Sequence, residues 1–165
     1  MKMMMNTGVW RAVIANYLLG APDAHAKNYS LLLAQKAVTL APPLYDLASG
    51  LVGDWDTGRI RYRKTAMSIG GHNVFGEVTG REWRKLARVA QQDDDKVFGY
   101  VRQLASRMPD AVRDAINELP QDVQGYQVLI DRLLSRVAAL AKHTLATLGD
   151  MDPQQAPVRI NPLGL

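Results

Sequence analysis

The sequence at residues 20–30 is GAPDAHAKNYS, and it is the most informative stretch of the chain. The rest of the chain is interpreted in relation to it. It places Asp23 and Asn28 five residues apart, with His25 between them. Two short apolar runs follow, and a second carboxylate, Asp46, comes after them in the run PPLYDL. Phosphoryl-transfer enzymes of the kinase type use one Asp to accept a hydroxyl proton, and an Asn and a later Asp to hold Mg²⁺. The spacing therefore indicates phosphoryl transfer.

Each side chain in this pattern suits that chemistry. Asp23 is the candidate general base, because a carboxylate on a loop can take the proton of a substrate hydroxyl. Asn28 supplies a neutral amide oxygen and Asp46 an anionic one, a sparse ligand set of the kind that Mg²⁺ accepts alongside phosphates and water. His25 and Lys27 are close enough to the base to contact a phosphate oxygen or to hold the loop. The competing interpretation is structural: an Asx-type turn at Asp23 and a helix cap at Asp46.

The residues before the motif predict a helix. Residues 8–19 place apolar side chains at helical spacing, and Gly20 follows where a left-handed C-cap residue belongs. Pro22 prevents the helix from continuing. A loop is therefore expected over residues 23–28.

The residues after the motif predict a β-hairpin. Residues 29–33 and 36–40 are short apolar runs separated by two residues, a pattern typical of paired antiparallel strands. Because a hairpin reverses the chain, we expect it to bring Asp46 beside Asn28.

Residues 50–80 predict an irregular segment with short extended pieces, because they carry many glycines and few apolar periods. Within this segment, Gly70-Gly71 predicts a turn rather than a phosphate cradle. A helix follows, since Thr79 and Glu82 have the spacing of a capping box, and it is expected to extend to Ala90.

The C-terminal half predicts a helical bundle. Residues 93–95 are three Asp that give an N-cap and a favourable charge to a helix expected to stop near Pro109. A short helix over residues 112–119 and a long one over residues 123–148 follow. Residues 150–165 contain three of the eight prolines and predict a flexible tail. The predicted fold class is mainly α, with a small hairpin next to the catalytic-type loop.

Composition narrows the class of protein. A chain of 165 residues predicts one domain or one lobe of a larger enzyme. The absence of Cys excludes disulfides, thiolate zinc sites and cysteine nucleophiles. The net charge of +4 is compatible with mild attraction to polyanions, but it favours a merely soluble basic protein. The basic cluster at residues 59–64 could contact phosphates or an acidic partner, and its pattern favours a solvated charged face. With no long apolar run and no signal-peptide pattern, we expect a cytoplasmic protein.

Three stretches of the chain resemble the HipA-like serine/threonine kinases, the toxin components of bacterial HipBA-type toxin–antitoxin modules. They are residues 16–33, residues 40–47 and residues 65–71. The first two motifs are specific, and the resemblance continues as a general helical pattern to about residue 148. It implies that residues 1–149 form a protein-kinase-like C-terminal lobe.

The resemblance assigns roles residue by residue. Asp23 corresponds to the family's catalytic base, and Asn28 and Asp46 correspond to its magnesium ligands. The positions that line the nucleotide phosphates and their metal in the family correspond to His25, Ala26, Lys27, Asn28, Tyr45 and Asp46. The implied cofactors are ATP and Mg²⁺, and the implied reaction transfers the γ-phosphoryl group of ATP to a protein hydroxyl.

The resemblance also implies partners. The family's protein substrates are aminoacyl-tRNA synthetases. Its antitoxin partner is a helix-turn-helix protein that binds operator DNA, so contact with DNA is expected only through the antitoxin. No membrane partner is expected.

A kinase also needs a lobe that covers the phosphates and a strand Lys that pairs with them. In the family these parts would precede residue 1, so we expect weak or no kinase activity from this polypeptide alone, unless a separate N-terminal lobe joins it. The uncovered interface predicts exposed apolar surface, with Met3, Met4, Met5 and Trp10 as candidates.

Two other functions fit part of the pattern. Small-molecule phosphotransferases of the aminoglycoside or choline kinase type also use a D-x-H-x-x-N loop, but they usually carry Gly where this chain has Pro22. The second alternative is a non-catalytic lobe that binds a partner as a scaffold.

Overall fold

The computed structural model describes residues 7–26, 29, 31–34, 37–40, 48–53, 63–120 and 126–149. The helices are α1 (Thr7–Leu18), α2 (Gly80–Val89), α3 (Asp94–Asn117) and α4 (Gln127–Thr147), and the strands are β1 (Leu31–Ala34), β2 (Ala37–Leu40), β3 (Lys64–Ile69) and β4 (His72–Val74). A short 3₁₀ turn at Gly50–Val52 lies between the two strand pairs. This part of the chain is mainly α, as the sequence predicts.

The core lies where α3 packs against both α1 and α4. In α1, apolar side chains recur at helical spacing and bury one face, with Trp10, Ile14, Tyr17 and Leu18 each at most 1% exposed. A fully buried side chain of this size stabilises the fold by about 2 kcal/mol. The prediction that Trp10 contributes to an uncovered surface is wrong, because α1 turns this indole into the core; Met3, Met4 and Met5 lie outside the described residues.

An aromatic cluster joins α1 to α2. The rings of Tyr17 and Trp83 meet edge to face, with centroids 5.6 Å apart and an interplanar angle of 88°. The Phe75 ring lies 5.8 Å from Tyr17 on another side. Edge-to-face pairs add about 0.5–1.5 kcal/mol beyond area burial, so this cluster fixes how α2 sits on α1.

The predicted capping box at the start of α2 is confirmed. Glu82 Oε2 accepts from the Thr79 backbone N–H at 3.0 Å and from the Thr79 hydroxyl at 2.6 Å. Glu82 is only 2% exposed, and burial acts to raise the pKa of its carboxyl, but the bonds from Thr79 and Arg81 lower it below its usual value. The carboxylate therefore stays charged and holds the first turn of α2.

Helix α3 corrects the prediction of a break near Pro109 and of a separate helix over 112–119. The helix is continuous through Pro109, although a proline inside a helix removes a hydrogen bond at a cost of about 3 kcal/mol. The face formed by Val101, Ala105 and Met108 is buried against the other helices, and this burial offsets the local cost. The predicted N-cap is confirmed, since the Asp93 side chain accepts from the Lys96 backbone N–H at 2.9 Å.

The hairpin after the motif forms with a different connection from the predicted one. Leu31 pairs with Leu40, and Ala34 pairs with Ala37. The connection is therefore residues 35–36 instead of 34–35. Ala34 and Ala37 therefore both belong to the strands.

A second hairpin forms within the segment that the sequence predicts to be irregular. Strands β3 and β4 pair antiparallel, with Ile69 opposite His72. The predicted turn at Gly70-Gly71 is confirmed, and both glycines have positive φ, +59° and +100°. Two successive positive-φ residues suit the twist of a two-residue hairpin, which is why glycine occupies both positions.

The last helix begins later than predicted, at Gln127 instead of residue 123. The predicted tail at 150–165 lies outside the described residues, as do the first residues of the basic cluster. No helix in the described part of the chain is long and apolar enough to cross a lipid bilayer.

Candidate functional site

The loop that carries Asp23 leaves α1 through a Schellman-type C-cap. The Ala21 N–H donates to the Asn16 carbonyl at 2.8 Å, and the Gly20 N–H donates to the Tyr17 carbonyl at 3.0 Å. Gly20 has a φ of +61°, and a Cβ at this position would collide with the Leu51 side chain. Glycine is thus required here both by the backbone and by the close approach of Leu51, and the loop leaves the helix in one defined direction.

The segment at residues 48–53 supports the start of this loop. The Ser49 hydroxyl donates to the Leu19 carbonyl at 2.6 Å. The Gly50 N–H donates to the Gly20 carbonyl at 2.8 Å. Two carbonyls at the helix end, which have no partner inside α1, are therefore satisfied by this segment.

Two arginines of α4 hold that segment in turn. Arg136 Nη1 donates to the carbonyls of Leu51 at 2.7 Å and Gly53 at 2.8 Å. Arg132 Nη1 donates to the Val52 carbonyl at 3.0 Å. Sequence reasoning missed both arginines; their signal is two Arg one turn apart on an apolar helix. Charge-assisted hydrogen bonds are stronger than neutral ones, so α4 holds in place the segment at residues 48–53 that supports the loop.

The Asp23 carboxylate is accessible on the anchored loop. Its side chain is 58% exposed, and Oδ1 lies 3.0 Å from Nε2 of His25, whose side chain is 48% exposed. The His25 backbone N–H also donates to the Asp23 carbonyl at 2.8 Å. The structure therefore brings two of the predicted site residues together and leaves the Asp23 carboxylate accessible from solvent.

The remaining predicted site residues divide into two groups. Ala26 is described and exposed, and its carbonyl accepts from the Tyr29 N–H at 3.2 Å. The predicted phosphate and magnesium ligands that lie outside the described residues are Lys27, Asn28, Tyr45 and Asp46. Among the residues that the structure does describe, no three His, Cys, Asp or Glu side chains form a group that could hold a metal ion.

A contact missed from the sequence anchors the far end of the loop. Asn16 in α1 is 7% exposed, and its Nδ2 donates to the Tyr29 hydroxyl at 2.9 Å. Burial raises the pKa of the Tyr29 phenol, and the bond from Asn16 opposes that shift in part. A buried Asn in an otherwise apolar helix face is the sequence signal that marks this position.

A pocket of about 160 Å³ opens between α1, the Asp23 loop and β3. Ala21 and Ala24 of the loop form one wall, and Val13 of α1 and Met67 of β3 form others. Because Ala24 follows Asp23 directly, the pocket and the carboxylate share one anchored segment. Small and apolar side chains dominate the walls, so the pocket suits an apolar group.

The described part of the chain thus combines a helix, an anchored loop with an accessible carboxylate, hairpins and a helical bundle. The sequence model of the HipA-like C-terminal domain matches residues 4–116. The chain belongs to that family, and the predicted resemblance is confirmed.

Individual relatives agree with this assignment. The Sinorhizobium fredii (strain NBRC 101917 / NGR234) protein named Putative kinase Y4mE is 29% identical over 134 residues, which cover 79% of this chain and 30% of the relative. In the solved complex of the Shewanella oneidensis MR-1 toxin–antitoxin proteins HipA and HipB with operator DNA, one chain matches with a TM-score of 0.73. That match has 19% identity and covers 85% of this chain and 32% of the other, so it shows the fold. The chain thus spans about a third of the length of each relative.

Proposed function

We propose that this chain is the C-terminal catalytic lobe of a HipA-like serine/threonine kinase, which transfers the γ-phosphoryl group of ATP to a protein hydroxyl. One observation carries the proposal: the Asp23 carboxylate is exposed on a loop whose start is held by the Gly20 cap and by α4. A general base must be both reachable and fixed, and Asp23 meets both requirements.

The proposed roles follow the chemistry of the side chains. Asp23 accepts the proton of the substrate hydroxyl. His25, whose Nε2 lies 3.0 Å from Oδ1 of that carboxylate, is assigned to orient it. Proton transfer by a positioned carboxylate contributes typically about 10²–10⁴-fold to the rate.

The donor types fit magnesium and ATP. The oxygens of Asn28 and Asp46 are the hard ligands that Mg²⁺ prefers, and a set of one or two carboxylates leaves room for phosphate oxygens and water. A bound Mg²⁺ would neutralise part of the negative charge on the phosphates. We assign the phosphate contacts to the set that the family resemblance implies, namely His25, Ala26, Lys27, Asn28, Tyr45 and Asp46.

The proposed partners follow the relatives. The Shewanella oneidensis HipA is found with HipB and operator DNA. By analogy we assign this chain a helix-turn-helix antitoxin, contact with DNA through that antitoxin, a cytoplasmic location, and a protein substrate of the aminoacyl-tRNA synthetase class.

Replacement of the base tests the proposal. In the full-length natural protein, we expect Asp23→Asn to reduce transfer of labelled phosphate from ATP to protein by about 10²-fold or more, because the amide cannot accept the proton. Asp110→Asn is the matched control, since Asp110 is an exposed carboxylate on α3 that pairs only locally with Arg113. Undiminished transfer by Asp23→Asn would contradict the proposal, as would no transfer by the wild type even when the remaining region of a HipA-like relative is supplied.

A further inference from the structure

We propose that Arg136 of α4 is a positioning residue for the transfer reaction, because it fixes the loop that carries the Asp23 carboxylate. This inference rests on the proposed function for the reaction itself. It goes further by naming a residue far from the motif in the chain, whose loss slows the chemical step through the loop. The hold of Arg136 on the loop is also testable without catalysis.

Two guanidinium groups of α4 cap the C-terminal end of the short 3₁₀ turn at Gly50–Val52. Arg136 Nη1 donates to the carbonyls of Leu51 at 2.7 Å and Gly53 at 2.8 Å, and Arg132 Nη1 donates to the carbonyl between them at 3.0 Å. The last carbonyls of a helical turn have no partner inside it and carry partial negative charge, so cationic donors suit them. Three successive carbonyls therefore accept from α4, and Arg136 satisfies two of them.

The other end of this turn contacts the start of the Asp23 loop. The Gly50 N–H donates to the Gly20 carbonyl at 2.8 Å. The Leu51 side chain is 0% exposed and packs so closely on Gly20 that a Cβ there would lie 2.3 Å from the Leu51 Cγ atom. The turn and the helix cap therefore form one packed unit, and a shift of the turn displaces Gly20 as well.

Only two residues separate Gly20 from Asp23, and both limit the freedom of the loop. Ala21 is 4% exposed, and its N–H donates to the Asn16 carbonyl at 2.8 Å. Pro22 has its φ fixed by its ring. The position of the carboxylate therefore follows that of the capped turn. Because a misplacement of about 1 Å by a distant change can cost about 10²-fold in rate, this link bears on the transfer step.

Removal of the guanidinium tests the catalytic role in the full-length natural protein. We expect Arg136→Ala to lower kcat for transfer of labelled phosphate from ATP to protein by about 10- to 100-fold, with KM for ATP changed by less than about threefold. Arg132→Ala removes one of these bonds instead of two, so we expect a smaller fall. Arg113→Ala is the matched control, because Arg113 is exposed on α3 and pairs with the neighbouring Asp110; it should leave kcat unchanged.

Amide hydrogen exchange tests the link without catalysis. In Arg136→Ala we expect the amides of Gly50 and Ala21 to exchange at least about tenfold faster than in the wild type, while the amide of Val101 in the core of α3 is unchanged. Methylguanidinium chloride, compared with sodium chloride at the same concentration, should recover at least about threefold of both the lost protection and the lost kcat, because it can refill the guanidinium site. A general loss of stability would instead speed exchange at Val101 as well.

Thermal unfolding shows whether each variant is folded, and if Arg136→Ala is not folded, the same measurements on Arg132→Ala decide. The inference is overturned if the folded variant keeps wild-type exchange at Gly50 and Ala21, or if Arg113→Ala loses as much activity. Faster exchange throughout α3 without recovery by methylguanidinium also overturns it, because it would give the guanidinium only a role in overall stability.

The fate of the proposed function is read separately. Transfer that depends on Asp23 but is unchanged in folded Arg136→Ala overturns this inference and leaves the proposed function standing. Transfer that does not depend on Asp23 removes the proposed function and with it the catalytic role of Arg136, while hydrogen exchange still reports whether Arg136 holds the loop.

Discussion

At the scale of single residues, Gly76 connects two buried polar side chains. Its N–H donates to the Tyr17 hydroxyl at 3.1 Å. Its backbone also hydrogen-bonds to His143 of α4, which is 8% exposed. Because Tyr17 is itself part of the aromatic cluster, polar contacts and ring packing act at the same junction between α1, α4 and the residues after β4.

We expect the buried imidazole of His143 to make the stability of the protein depend on pH. Burial lowers the pKa of His143, and the bond to Gly76 opposes the shift only in part. An unfolded His has a pKa of about 6.5, so below that pH the unfolded chain binds more protons than the folded one. We expect the free energy of unfolding to fall as pH decreases from 7.5 to 5.5, measured by urea denaturation, and to fall less in His143→Gln. His72→Gln, at a half-exposed position, is the control; an equal fall in wild type and His143→Gln would contradict this role.

Gly20 is the residue on which the geometry of the loop depends most. Alanine there meets a positive φ and the Leu51 side chain, so we expect Gly20→Ala to lower the free energy of unfolding by at least ~1–2 kcal/mol. Gly99→Ala is the matched control, because a Cβ at Gly99 inside α3 meets nothing within 4 Å. That control should instead stabilise by about 1 kcal/mol through helix propensity. Chemical denaturation measures both changes, and a loss in both variants would show that Gly20 has no special role.

At the scale of elements, α3 carries an internal proline that its packing tolerates. Replacing Pro109 with Ala restores a backbone N–H to the helix, and we expect a gain of about 1–3 kcal/mol in the free energy of unfolding. Pro120→Ala, in the exposed coil after α3, should change it by less than about 0.5 kcal/mol. Denaturation midpoints compare the two variants; a loss of stability in Pro109→Ala would mean that the proline ring itself makes the more important contacts.

The helices show which structural features can be predicted from sequence. The capping box at Thr79 and the C-cap at Gly20 depend on residues within one turn of the chain, so local pattern is enough to find them. Continuity through Pro109 depends on burial against other helices, which local pattern does not contain. Short extended pieces and the Gly70-Gly71 turn were predicted in residues 50–80, but the pairing of β3 with β4 was not, because both strands are short and their apolar alternation is weak.

The candidate site follows the same rule. Asp23 and His25 were predicted from spacing, because both belong to one loop. Arg132 and Arg136, which support that loop, contact a segment 80 to 85 residues earlier in the chain. Contacts at that distance are decided by tertiary packing. The predicted ligands Asn28 and Asp46 remain predictions.

At the scale of the whole molecule, we expect the proposed kinase activity to require a second lobe in addition to this one. The lobe carries a proposed base and proposed metal ligands, whereas in kinases a second lobe and its Lys bind the nucleotide phosphates. We expect the 165-residue chain alone to transfer phosphate at least ~10²-fold more slowly than the same chain joined to the remaining region of a HipA-like relative. Transfer of labelled phosphate from ATP measures the ratio. Strong Asp23-dependent turnover by the chain alone would contradict this expectation.

The bonds from Arg136 to the carbonyls of Leu51 and Gly53 bear on how the protein is cut for experiments. A fragment that ends at Pro120 retains Asp23 and the whole of its loop, yet it lacks the guanidinium that holds the backing segment in place. A fragment that keeps the Asp23 loop in its described conformation must therefore extend through α4. In crystallisation trials or inhibitor screens on a shorter fragment, the Asp23 loop would lack the support that the Arg136 hydrogen bonds provide.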